Sequence, residues 1–130
     1  MIRIAAILLI LSTAVGGAQT LITPEQFIER AVGRTLTFAN MHDGRIVGIE
    51  EFLSRQQTVW ARRDGSCTYG HVTLTRDQVC FRYEDQEHVS HCWYPHDQGG
   101  TLVMQSPLGP TQQVTRITDL PVVCHDPPLS

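Results

Sequence analysis

From Ile4 to Val15 the chain is apolar except at Ser12 and Thr13. A run of about a dozen residues is too short for a hydrocarbon core that needs about twenty. Arg3 precedes it and Gly16-Gly17-Ala18 follow, small residues where a signal peptidase cuts. The pattern predicts a secretory signal peptide over residues 1–18, cleaved before Gln19, and a single domain over 19–130. The first cysteine is Cys67, so lipid attachment through a cysteine at the cleavage point is not expected.

After the cut the period of the apolar positions becomes helical, and only once. Over residues 22–33, Phe27, Ile28, Ala31 and Val32 make one stripe. Thr23 is placed to cap the helix, Pro24 suits its first position, and Gln26 completes a capping box. Ile22 and Phe27 fit a hydrophobic staple, and Gly33 can end the helix.

Beyond Gly33 the alternation has a period of two. Strands are predicted around Leu36 and Phe38, then at 46–52, 58–62, 67–74, 79–83, 88–94, 101–105 and 112–118. Asp43-Gly44 and Asp64-Gly65 are turn signals, 84–87 is an acidic turn, and 95–100 reads as a loop. About eight short strands with short connections predict a mainly β fold. The expected form is a small antiparallel β-barrel or curled meander with one N-terminal α-helix, closure removing the exposed edges.

Four cysteines in an exported chain of this size imply two disulfides, and their wide spacing does not resemble a zinc site. Across a hairpin centred on the acidic turn, Cys80 lies opposite Cys92, Phe81 opposite His91 and Val79 opposite Trp93. This favours Cys80–Cys92, which leaves Cys67 for Cys124; two other connectivities stay open.

Composition removes several function classes. Residues 19–130 hold nine arginines against thirteen acids, a formal charge of −4, and the chain has no lysine. A basic face for nucleic acid or an anionic membrane is therefore not expected, and lysine chemistry is excluded. There is no Gly-x-Ser-x-Gly elbow, and paired cysteines offer no thiolate. His96-Asp97 are sequence neighbours, a poor arrangement for a base and its orienting acid. Glu50 and Glu51 alternate faces and so cannot act together. Catalysis would require a cleft holding two perturbed titratable groups, and no enzyme activity or cofactor is expected. His88, His91 and His96 are weak metal candidates: on a strand the first two face opposite ways, and the third is expected in a loop. The aromatic set suggests a ligand-binding end built from Trp60, Tyr69, Tyr94 and His96.

Gly65-Ser66-Cys67-Thr68-Tyr69-Gly70, Val79-Cys80-Phe81-Arg82-Tyr83 and Cys92-Trp93 resemble a pattern in uncharacterised exported proteins of Gram-negative bacteria. That pattern runs G-x-C-x-x-G, C-F-x-Y and C-W, with Gly48–Phe52 and Trp60 fitting upstream, so it covers roughly residues 44–94. The resemblance implies a shared small β fold and no activity. In architecture the chain is also similar to small disulfide-bonded periplasmic inhibitors of lysozyme or of proteases. The expectation is a periplasmic or secreted non-enzymatic module that binds an envelope protein or a small ligand, with hydrolase inhibition or metal binding as alternatives.

Overall fold

The computed structural model describes residues 18–128; the expected signal peptide lies almost wholly outside them. The chain forms β1 (Gln19–Leu21), α1 (Pro24–Ala31), β2 (Thr35–Asn40), β3 (Ile46–Phe52), β4 (Gln57–Arg62) and β5 (Cys67–Leu74). It continues through β6 (Val79–Tyr83), a 3-10 turn at Glu84–Gln86, β7 (His91–Gln98), β8 (Thr101–Gln105) and β9 (Gln112–Thr118). Strands β2 to β9 follow one another around a closed barrel, each antiparallel to its neighbours, and β9 pairs back with β2. The fold is thus mainly β, an eight-stranded antiparallel barrel. Strand β2 carries a register shift against each neighbour, one beside Ala39 and one beside Phe38. Such bulges bend a strand and help the sheet close.

The capping box of α1 is formed. Thr23 Oγ1 accepts the Gln26 N–H at 3.1 Å, and Gln26 Oε1 accepts the Thr23 N–H at 2.9 Å. Phe27, Ile28 and Ala31 are fully buried, which ties the helical stripe to the barrel. Phe27 meets Phe52 edge-on at 5.9 Å between centroids, and the Gly33 N–H donates to the Phe52 carbonyl at 2.9 Å. Arg30 reaches across to Asp97 at 2.7 Å and to the Gly100 carbonyl at 2.9 Å. All these partners lie where β3 and β7 finish and β8 begins, so α1 covers that end of the barrel.

Both Asp-Gly turns form. Gly44 and Gly65 adopt φ of +72° and +86°, the left-handed region a side chain resists. Asp43 and Asp64 each accept the N–H two residues on.

The stretch expected as a loop over 95–100 is instead mostly strand: β7 runs to Gln98 and pairs with β8 from Tyr94 onward. His96 therefore lies on a strand. Proline usually breaks a ladder, but Pro95 sits where one neighbour gives way to another. Strand β6 pairs with residues 91–93, and β1 takes over the same edge at 96–98. At that junction no ladder donor is required, and the Pro95 carbonyl accepts the Ile22 N–H at 3.0 Å. Strand β1 itself has too little pattern in three residues to be read in advance.

The disulfides are Cys80–Cys92 and Cys67–Cys124, and Phe81 pairs with His91 and Val79 with Trp93. All four cysteines are thereby used, which fits an oxidising compartment. The second bridge anchors the irregular tail. Leu120 accepts from Thr35 at 2.6 Å, the Val122 N–H donates to Glu51 at 3.0 Å, and the His125 N–H donates to Gly65 at 2.9 Å. The tail thus crosses the outside of β3, β4 and β5. It explains why outward-facing Val59 and Ala61 are buried.

Candidate functional site

At the end opposite α1 the barrel opens into a cavity of about 630 Å³. This is within the size range of small-molecule sites. Its apolar wall includes Phe38, Trp60, Phe81, Trp93 and Met104. Pleating puts these side chains inside: on β4, Thr58, Trp60 and Arg62 share a face, and on β6 so do Val79, Phe81 and Tyr83. Two glycines shape the wall. A Cβ on Gly48 would run into the Trp60 ring, and one on Gly70 into Thr58 and the Tyr83 ring. The rings form a continuous surface: Phe38 to Trp60 is 6.3 Å, Trp60 to Tyr83 6.1 Å and Tyr83 to Phe81 6.4 Å between centroids.

One acid interrupts this surface. Glu50 lies on the inner face of β3 between Gly48 and Phe52 and is 1% exposed. The Tyr83 hydroxyl donates to its Oε2 at 2.9 Å. Its Oε1 and the neighbouring Thr58 Oγ1 make no hydrogen bond of full geometry among the described residues, although the Thr58 hydroxyl lies near enough to Glu50 to act on its carboxyl. Burial pushes the Glu50 carboxyl up to about 7, against the opposing pull of the Thr58 and Tyr83 hydroxyls. Burial, and then the adjacent Glu50, raise Tyr83 well above the usual phenol range. Arg62 also lines the cavity, but it is paired with Asp85 and reaches Ser66 at 3.4 Å.

The four residues expected to share a binding end are not brought together. Trp60 lines the cavity; Tyr69, Tyr94 and His96 do not. Tyr69 has the opposite parity to inward Thr68 and Gly70, and His96 Nδ1 donates to the Tyr94 carbonyl at 3.0 Å. The three candidate metal histidines are also apart: His91 is at the cavity, its ring 5.8 Å from that of Tyr83, His88 is exposed in the preceding loop, and His96 is further along β7. Among the described residues, no three His, Cys, Asp or Glu side chains are placed to hold a metal ion.

The sequence presents Glu50 only as a pair with Glu51 and Tyr83 only as one of the aromatic set, although the parity that separates Glu50 from Glu51 also puts Glu50 on the face of Phe52. An acid on the apolar face of a strand is the signal that would have found it. The motif residues converge on the same wall. Gly70 admits Tyr83, Phe81 and Trp93 line the cavity, and the Cys80–Cys92 bridge joins their two strands on the outer face.

Compared with protein-family descriptions, characterised proteins and solved structures, the chain matches none.

Proposed function

We propose that this chain is an exported binding module that takes a small, largely apolar ligand into the open end of its barrel. The observation that carries this reading is the aromatic-walled cavity of about 630 Å³ at one end while α1 covers the other. Eight strands enclose a space that side chains either fill or leave for one small ligand. Here the half nearest the helix is filled and the far half is not.

The chain has two tryptophans, Trp60 and Trp93, and both line the cavity. Intrinsic fluorescence therefore reports occupancy without a label. N-phenyl-1-naphthylamine, a neutral apolar dye, is expected to bind one to one, with energy transfer from the tryptophans and a raised melting temperature. Unchanged tryptophan emission and melting temperature at saturating dye would remove the ligand-binding reading.

A second reading has a specific observation behind it. Glu50 and Tyr83 are two shifted groups in one cavity, the condition set above for catalysis, and a carboxyl near 7 suits proton transfer. Solvent deuterium entering the α-carbon of a bound cyclic ketone, lost in Glu50→Gln, would favour a proton-transfer enzyme. No exchange above the buffer rate would leave binding as the better account.

A further inference from the structure

Resting on the ligand-binding reading, we infer that the cavity selects an organic cation: a protonated amine on an apolar body, with Glu50 as counter-ion and the Trp60 and Tyr83 rings packed around the charge.

Three observations lead there. The first is the missing partner. Glu50 is almost sealed from solvent, Oε2 is engaged by Tyr83, and Oε1 has no cation and no hydrogen bond of full geometry, only the nearby Thr58 hydroxyl. A buried carboxyl without a cation is costly, and the cost falls when a charged donor arrives. The protein supplies no such donor: among the described residues no arginine or histidine forms an ion pair with Glu50, and the arginine at the cavity is committed to Asp85. The second is the wall. Trp60 and Tyr83 lie 6.1 Å apart beside that carboxyl, with room made by Gly48 and Gly70. Aromatic faces attract a cation, tryptophan most strongly, and more so out of water. The third is the field. Thirteen acids against ten arginines and no lysine give a chain of formal charge −3, which raises the local concentration of cations rather than anions.

The groups around Glu50 set how binding responds to pH. Thr58 on β4 and Tyr83 on β6 face it directly. Arg62 and Asp85 compensate each other nearby, and His91 on β7 lies against Tyr83. Protonation of Glu50 removes the counter-ion and so weakens an amine as pH falls. An ammonium head reaches the carboxyl by moving the Tyr83 phenol, so binding also disturbs the tyrosine.

The test compares three probes of one chain length below their micelle concentrations: n-decylamine, n-decanol and decanoate. Tryptophan emission and calorimetry read their binding to the intact disulfide-bonded protein at pH 8. Decylamine is expected to bind about tenfold or more tighter than decanol, the scale of one added charge-assisted contact. Decanoate is expected to bind weakest. In Glu50→Gln the amine should fall to the level of the alcohol, with the alcohol unchanged. In the wild type the amine's affinity should drop as pH falls below about 7 while the alcohol's stays flat, so the inference does not depend on the variant folding. Equal affinity for amine and alcohol across pH would overturn cation selection and leave ligand binding intact. Decanoate binding tightest would overturn it in favour of Arg62 as the reader. If none of the three binds, the ligand-binding reading itself fails.

Discussion

At the helix-covered end of the barrel the inward positions are Phe27, Ile28, Leu36, Phe52, Val79 and Leu102, each at most 1% exposed. At the other end the inward positions of the same sheet include Glu50, Trp60, Arg62, Tyr83 and His91. Strand β3 shows the change within three residues: Phe52 packs between the rings of Phe27 and Phe81, and Glu50 faces a cavity. One sheet thus carries two kinds of interior. The filled half supplies the apolar burial that stabilises a chain of this size. The open half gives up burial and holds a carboxyl that costs free energy, the usual mark of a site rather than a core.

The sharpest way to break this contrast is to empty the filled half. Phe52→Ala is expected to cost about 3–5 kcal/mol, the range for a buried phenylalanine, as read by urea unfolding. Trp93→Ala at the cavity should cost clearly less and remove part of the ligand response instead. Equal losses at both ends would mean that the open half is core in all but shape.

The two covalent links differ in place: Cys67 starts β5 at the open end, and Cys80–Cys92 joins β6 to β7 between Val79 of the filled half and Phe81 of the open one. Replacing Cys67 and Cys124 by serine opens a link spanning 57 residues, worth about 4 kcal/mol in the chain-entropy account; the 12-residue link of Cys80 and Cys92 is worth about 3 kcal/mol. Unfolding of the two double variants without reductant measures the order. A larger loss for the shorter link would show that the cavity wall depends on Cys80–Cys92 for its geometry and not only for its entropy.

The two halves were not equally legible in the sequence. The filled half follows local rules: the Thr23–Gln26 box, the stripe through Phe27 and Ala31, and the alternation in β3 through β6 all point the same way. The register that sets Cys80 against Cys92 came from the same parity. The open half depends on closure, which brings β9 to β2, and no local pattern states that. Trp60 could be named as a candidate, but its cavity neighbours come from other strands, and Tyr69, Tyr94 and His96 share a composition with the site and not a location. Pro95 misled because its effect depends on which strand lies beside it. Glu50 was read as half of an acidic pair when its partner in space is Tyr83.

The cost of Glu50 should be visible in pH. Its carboxyl is raised from 4.5 to about 7 by burial, so between those values the folded protein holds a proton that the unfolded chain has lost. Stability is highest below about 4.5 and falls as pH rises through 7, by about 3 kcal/mol in all. Glu50→Gln should flatten this part of the profile when unfolding free energies at pH 5 and pH 8 are compared with the wild type. Asp97 works in another window. The Gly100 N–H and Arg30 hold it below the usual carboxylate range, so its stabilisation is lost only in stronger acid. Parallel profiles for wild type and Glu50→Gln would show that the carboxyl is not desolvated in solution, and would weaken the case for the site.

The smallest effect separates the halves most cleanly. Thr23→Ala removes the acceptor for the Gln26 N–H at the start of a helix of eight residues. A helix that short has no stability of its own, so a cap worth about 1 kcal/mol is felt only through how well α1 covers the barrel. The melting temperature should fall by roughly 4 °C. Binding of the naphthylamine dye at the far end should be unchanged well below that melting temperature, because distant sites without shared partners act independently. The path between them is short, however: Phe27 touches Phe52, Phe52 touches Phe81, and Phe81 lines the cavity. If dye affinity falls along with stability, that aromatic chain couples the helix to the site, and the barrel is one cooperative interior rather than two.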